Sequence, residues 1–417
     1  MPAAGTVNLL FRVCSMLFIF GIVWSFERKD EPPESSSAPR SRSLRHQRSQ
    51  RRLAPASQGL NASESFRFAL ITDSHVWPRS HERRAFIADS DGREIRDGLL
   101  VAHSQEVYGD LLSDMKSFAK HGGAFAIHAG DAVCGGASFH ASGPEFEGQL
   151  RAVAAAEHKA LPSWPIHHVP GNHDLHPTEG GLAAWAATLG NSSGATAVAM
   201  DHGPDRQADR DGGRHYWALR RDGWRILLLD SASAVGVDTD GHGHVDDEQL
   251  RWLEWQLERS SGLAEHVIIV THQLLVPPTD RLGGGRCPWF VHRYDMVDNA
   301  DAVLSVMSRF DHVVLCLHGH VHANSLTRHR GVAFVTTAAA DEYPMMWREV
   351  IVRHCDVELT TRALPLPRTV VEQSALRDTR GFNDAKRGDT DDNHVVLRVR
   401  RCGREPRTGR PEACCGG

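Results

Sequence analysis

The sequence predicts an α/β fold, and three observations carry the prediction. Five apolar runs read as β-strands, at residues 68–72, 124–129, 166–169, 266–270 and 313–317. Helical patterns lie between them. Each run also ends on a short polar motif: Asp73-Ser74-His75, Gly130-Asp131, Gly171-Asn172-His173-Asp174, Thr271-His272 and Gly319-His320-Val321-His322. In an α/β sheet ligands gather on loops at the carboxyl ends of strands, so five such loops can meet in one site.

The elements follow in order. Residues 99–119 and 144–161 read as crossover helices after the first and second strands. Asp246-Asp247-Glu248-Gln249 opens a third helix, whose Leu250, Leu253 and Leu257 with Trp252 and Trp255 give a broad apolar side. A short helix spans 299–310, and 334–337, 349–353 and 357–361 read as late antiparallel strands. Two charged, Gly-rich stretches, 77–98 and 191–215, read as insertions near the active edge. Trp217, Trp224, Trp252 and Trp255 are expected in the core. His167, His168 and His318 are expected as packing or supporting groups, and His103, His140 and His158 at the surface.

Composition sets the outer limits. The chain has 417 residues and a formal net charge of −5. Without a concentrated basic stripe, nucleic-acid binding is not expected. With 26 His in the chain, a lone His means little and only the ordered set carries weight. Residues 13–26 form a largely apolar run after Arg12, short for a membrane span and suited to the core of a signal peptide. An uncleaved signal anchor reaching back to Val7 fits as well. Either route leads to the secretory pathway, with a secreted or membrane-anchored catalytic domain. The sequons at Asn61 and Asn191 agree with it. Residues 27–64, rich in Ser, Pro, Arg and Gln, read as a disordered linker. The catalytic domain is expected at 65–366, followed by a disordered tail at 367–417 in which 395–399 alone is strand-like. The eight Cys form no dense disulfide framework. Cys316 reads as a packed hydrophobe, and one bridge among Cys134, Cys287 and Cys355 is open.

The motifs themselves name a chemistry. Asp73, His75, Asp131, Asn172, His272, His320 and His322 offer seven ligand side chains of the kinds that suit Mn, Fe or Zn. A catalytic zinc commonly takes three protein ligands and a water. Seven fit two divalent ions that share one carboxylate. The usual chemistry of such a pair is in-line displacement at phosphorus by an activated water, with a small phosphate ester as substrate.

On these five motifs the chain resembles the calcineurin-like metallophosphoesterases over about residues 66–366. The resemblance implies a four-layer α/β/β/α sandwich of two mixed sheets. It implies one metal at Asp73, His75, Asp131 and His322, and a second at Asp131, Asn172, His272 and His320, with Asp131 bridging. His173 is then the general acid for the leaving alkoxide, and Asp174 completes the motif and orients its neighbours. Leu229-Asp230-Ser231, the 246–257 helix, Cys287-Pro288-Trp289, Asn299-Ala300 and Glu342-Tyr343-Pro344 are most similar to the class III cyclic-nucleotide phosphodiesterases. A phosphodiester is the first substrate class implied. Phosphomonoesters, nucleotide pyrophosphates, and a non-catalytic binding module on the same fold are the alternatives. One position departs from the pattern. Many relatives carry Asp three residues after the bridging Asp, to pair with the motif His; here it is Cys134, which fits either a thiolate ligand or a packing residue.

Overall fold

Two mixed β-sheets lie between two layers of helices. The computed structural model describes residues 64–77, 103–135, 141–176, 181–190, 199–201, 215–232, 241–278, 296–376 and 383–399. All of these belong to one compact unit, Ala56–Gly417. In the first sheet β1 (Glu64–Ile71), β2 (Phe125–His128) and β3 (Ile166–His168) run parallel. β11 (Met346–Arg353) pairs antiparallel with β1, β12 (Asp356–Ala363) with β11, and β13 (His394–Arg398) with β12.

The second sheet has the order β4 (Ala199–Asp201), β5 (Trp217–Arg221), β6 (Trp224–Leu228), β7 (His266–Val270), β8 (Val313–His318), β10 (Val332–Thr336), β9 (Ser325–His329). Its middle strands β6, β7, β8 and β10 are parallel. Both faces are covered, as strand periodicity makes plain. Ile226, Leu228, Ile268, Val270, Leu315, Leu317 and Val335 join the core shared with the first sheet. Their alternates Leu227, Val267, Ile269, Cys316 and Phe334 pack with Trp252, Leu253, Leu257, Val303 and Met307. Those five come from α3 (Asp247–Gly262) and α4 (Ala300–Met307), the helices on the outer side of this sheet.

The helices on the first sheet are α1 (Ser104–Lys120) and α2 (Gly143–Ala160). α1 buries Val107, Leu111, Met115 and Phe118, and α2 buries Phe146, Leu150 and Val153. α2 starts on a capping box: the Ser142 amide donates to Glu145 Oε2 at 2.8 Å, with Pro144 in the first turn. The Asp246 carboxylate caps α3 by accepting from the Gln249 amide at 2.7 Å. The result is the expected α/β/β/α sandwich.

Two hairpins were not anticipated. β5 and β6 are joined by Asp222-Gly223, with φ of 50° and 77°, and β9 and β10 by Arg330-Gly331, with φ of 49° and 87°. Positive φ at both central residues matches the right-handed twist of the flanking strands. The reading of 367–417 as a disordered tail is corrected for its described part. It folds as α5 (Arg368–Leu376), α6 (Asn383–Arg387), α7 (Thr390–Asn393) and β13. Its polar residues serve backbone groups. Asp389 accepts from the Asp391 and Asp392 amides, and Asp392 Oδ1 accepts from the Leu326 amide at 2.9 Å. Val395 and Leu397 are buried on one side of β13 while Val396 is exposed.

Cys355 is disulfide-bonded, and Cys134 and Cys316 are buried free thiols. The N-terminal apolar run, the linker up to residue 63, Asn61, Asn191 and nearly all of both insertions lie outside the described residues, while Glu64 already belongs to β1. Among the described residues no helix is long and apolar enough to cross a membrane.

Candidate metal centre

All five motifs sit at the carboxyl ends of parallel strands. β1, β2 and β3 deliver Asp73, Asp131 and Asn172 from the first sheet, and β7 and β8 deliver His272 and the His320–His322 pair from the second. The site therefore straddles both sheets at one edge. Five of these residues hold a left-handed backbone: Asp73 (φ 51°), His75 (38°), Asp131 (56°), His320 (69°) and His322 (52°). That region costs a non-glycine residue about 1–3 kcal/mol and persists where the surroundings dictate it. Cross-loop hydrogen bonds do so here: Asp73 N to Gly130 O at 3.0 Å, His75 N to Asp131 O at 3.1 Å, Gly319 N to His272 O at 3.2 Å. Glycines permit the close approach. A Cβ at Gly171 would collide with Asp131, and one at Gly319 with Thr72 and Asp73.

The side chains converge in three overlapping groups whose ligand atoms lie within 4.8 Å of one another: Asp73, His75 and His322; His75, Asp131 and His173; and Asp131, His272 and His320. Asp131 Oδ2 is 3.0 Å from His272 Nε2 and 3.5 Å from His75 Nε2, so one carboxylate faces ligands of both sets. Asp73 Oδ1 is 3.3 Å from His322 Nε2 and 3.9 Å from His272 Nε2. The amide oxygen of Asn172 is a buried atom without a hydrogen-bond partner. An acceptor left so is costly in a protein interior, and a cation would satisfy it.

Four imidazoles are turned the same way by acceptors at Nδ1. His272 Nδ1 is 2.7 Å from Ala129 O, His75 Nδ1 is 3.3 Å from Asp341 Oδ1, His173 Nδ1 is 3.2 Å from Cys134 O, and His322 Nδ1 meets Glu342 Oε2. Holding Nδ1–H in this way fixes the tautomer that points an Nε2 lone pair inward. His320 is turned oppositely, its Nδ1 3.2 Å from His272 Nε2. Two ring nitrogens so close can share a proton or bind one cation.

The charges ask for a cation as well. Burial works against protonating His272, yet Asp131 and Asp73 raise its pKa to about 9. Burial likewise opposes protonation of His322, and Glu342 with Asp73 raises it to about 9. Burial would raise Asp73 and Asp131, yet both stay well below the usual carboxylate range, because His322 and His272 beside Asp73, and His272 and His173 beside Asp131, outweigh it. His320, by contrast, is pushed down to about 3 by burial and by His272. Protons that the carboxylates pull onto imidazole stand where a metal ion would neutralise the same charge.

Two residues behave differently from the metal-ligand set. His173 lies edge-on to His75, ring centroids 4.9 Å apart, and its backbone amide donates to Asp131 Oδ1 at 2.8 Å. Burial first, with the His75 charge, lowers its pKa to about 4. The carbonyl of Cys134 does for His173 what a carboxylate at that position would do. Cys134 itself belongs to no metal-ligand group among the described residues. Asp174 spends its carboxylate on backbone, accepting from Val133 N at 3.1 Å and Gly171 N at 3.0 Å. It ties two loops together. Sequence reading missed Asp341 and Lys386 and took Glu342 only as part of a family block; here Asp341 supports His75, Glu342 supports His322, and Lys386 supports Glu342.

No family model matches the chain. It is 28% identical over 152 residues to a 3',5'-cyclic adenosine monophosphate phosphodiesterase CpdA of Vibrio vulnificus, spanning 33% of this chain and 50% of that protein. It is 25% identical over 261 residues to the CpdA of Escherichia coli K12, spanning 61% of this chain and 69% of that one. The chain thus spans half the length of the first of these relatives. A dimetal phosphatase from Danio rerio superposes with a TM-score of 0.53 at 17% identity, over 72% of this chain and 96% of that one.

The chain has the calcineurin-like metallophosphoesterase fold. In this chain the two sheets are not equivalent. The first supplies all the carboxylates and the amide of the ligand set, and the second supplies three of its four imidazoles. Closing the sandwich is what brings the two kinds of ligand together.

Proposed function

We propose that this chain is a metal-dependent hydrolase of phosphoric esters that uses two divalent ions, Mn, Fe or Zn, and acts on phosphodiesters, cyclic nucleotides among them. One observation carries the reading. Asp131 lies between two groups of imidazoles and carboxylate, at 3.0 Å from His272 and 3.5 Å from His75, where a single carboxylate can serve two ions. Asp73, His75, Asp131 and His322 would hold one ion; Asp131, Asn172, His272 and His320 would hold the other. Ions there would supply an activated water and neutralise charge on the phosphate oxygens. The chain's own residues do the rest. Asp341 and Glu342 hold His75 and His322 in their tautomers, and Asp174 fixes the Asn172–His173 turn. His173, held at Nδ1 by Cys134, exchanges protons through Nε2 and is the residue placed to protonate a leaving alkoxide. The negative phosphate of a bound ester would favour its charged form.

The substrate class rests on the relatives, both named as cyclic AMP phosphodiesterases. The test is a panel of a bis-ester, a monoester, 3',5'-cyclic nucleotides and nucleotide sugars, with Mn, Fe or Zn added. Faster turnover of the diesters supports the reading, and turnover confined to monoesters or pyrophosphates replaces it. We also propose that the chain enters the secretory pathway. The apolar run at 13–26 and the sequons at Asn61 and Asn191 support this. A chain expressed in a eukaryotic host that shows no mass shift on deglycosylation and stays in the cytosol would refute it.

A further inference from the structure

The stretch that composition marks as a tail comes back to the metal centre. α6 places Lys386 with its side chain only 9% exposed, its Nζ on Glu342 Oε1. The other oxygen of that carboxylate, Oε2, meets His322 Nδ1. A buried lysine is rare unless paired, and here the pair ends on a residue that faces the ligand cluster. Neighbouring contacts fix α6 in place. The Asn324 amide donates to Lys386 O at 2.9 Å, two residues past His322. Asn324 Nδ2 donates to Arg387 O at 3.3 Å, and the Arg387 guanidinium sits over the Tyr343 ring at 5.4 Å. Gly388 comes so near the Asn324 carbonyl that a Cβ there would be 2.6 Å from it.

We propose that Lys386 is a positioning residue for the metal centre. By holding one oxygen of Glu342 it aims the other at His322 Nδ1, and so turns His322 Nε2 toward Asp73 and His75. The inference rests on the dinuclear reading above and adds that one of the two ions depends on the C-terminal segment. Without Lys386, Glu342 has a single side-chain partner in a buried site and can swing away from His322. Partners of metal-ligating histidines typically contribute about 10- to 100-fold in metal affinity.

The experiment is titration of the metal-free full chain with Mn2+, the free ion followed by its EPR signal, for wild type, Lys386→Met and Lys386→Arg. Lys386→Met should weaken one of the two binding steps by about 10- to 100-fold and leave the other within about threefold. Lys386→Arg, which keeps a cation beside Glu342, should recover much of the loss. The melting temperature of each metal-free variant is read alongside. If the Met variant does not fold, Lys386→Gln is read in the same way. Two binding steps unchanged in a folded Met or Gln variant would overturn the proposal. So would equal weakening of both steps together with a lowered metal-free melting temperature, the mark of a merely structural lysine. A wild type that binds no Mn2+ would overturn it and the dinuclear reading together. A wild type that binds two ions and hydrolyses no phosphoric ester would defeat the enzymatic reading only, with the Lys386 shift still deciding the proposal.

Discussion

His173, partly buried, and His167, fully buried, are both histidines held neutral, and they bear on different properties. His173 touches Asp131 and His75 but has its Nδ1 held by a carbonyl outside the ligand set. If it delivers a proton to the leaving group, its worth depends on how poor that group is. We predict that His173→Ala retains both ions and loses about 10²–10⁴-fold on an alkyl ester but much less on a nitrophenyl ester. Since His173 also falls in a group with His75 and Asp131, equal loss on both esters, or loss of metal, would make it a ligand or an orienting group and not the proton donor. His167 lies on β3 against Phe125, and neither ring nitrogen has a hydrogen-bond partner. Burial, helped by His168, pushes its pKa from 6.5 down to about 3. The unfolded chain therefore takes up this proton more readily than the folded one. The stability tied to His167 is full above about pH 6.5 and is lost as pH falls toward 3. His167→Phe should lose less of its urea midpoint than wild type between about pH 7.5 and pH 5. An unchanged pH dependence would show that the ring titrates alike in both states.

At the scale of elements the loops carry the function and the strands aim them. The five ligand-bearing strands were legible because each ends an apolar run on metal-ligand residues. β7 spans the residues expected, and the other four differ from expectation by one to four residues at an end. The hairpin β5–β6 was hidden for a physical reason. Trp217 and Trp224 were recognised as core, but with both sheet faces buried the alternation of polar and apolar residues is gone, and Asp222-Gly223 was the one remaining signal. The seven ligands were legible as residue types. Their partners Asp341 and Glu342 were not, since nothing local links them to His75 or His322. Loop approach makes a prediction of its own. Gly319→Ala adds a Cβ that meets Thr72 and Asp73 at the junction of the two sheets. It should cost most of the metal binding while the far-ultraviolet circular dichroism stays native. Wild-type metal binding in that variant would show that the junction yields more easily than its packing suggests.

At the scale of the molecule the sandwich is completed by a segment that composition assigns to solvent. β13 covers the edge of β12, and Val395 and Leu397 fill the same core as Val357 and Leu359. Polar capping residues and a two-residue apolar alternation are too short a pattern to stand out from a disordered tail, and their partners lie far off in sequence. A chain ended after residue 366 should therefore melt lower and load metal poorly, as read by scanning calorimetry and metal analysis. Full loading in that truncation would show that the C-terminal segment only decorates the domain.

In the proposed mechanism Asp131 joins two ions into one hydrolytic centre. Titrating metal-free protein with Mn2+ while following hydrolysis of a nitrophenyl diester tests it directly. Activity should rise to a break at two ions per chain in wild type and be absent in Asp131→Asn, which should also bind less metal. A break at one ion, hydrolysis without metal, or an Asp131→Asn variant with near wild-type activity would contradict it.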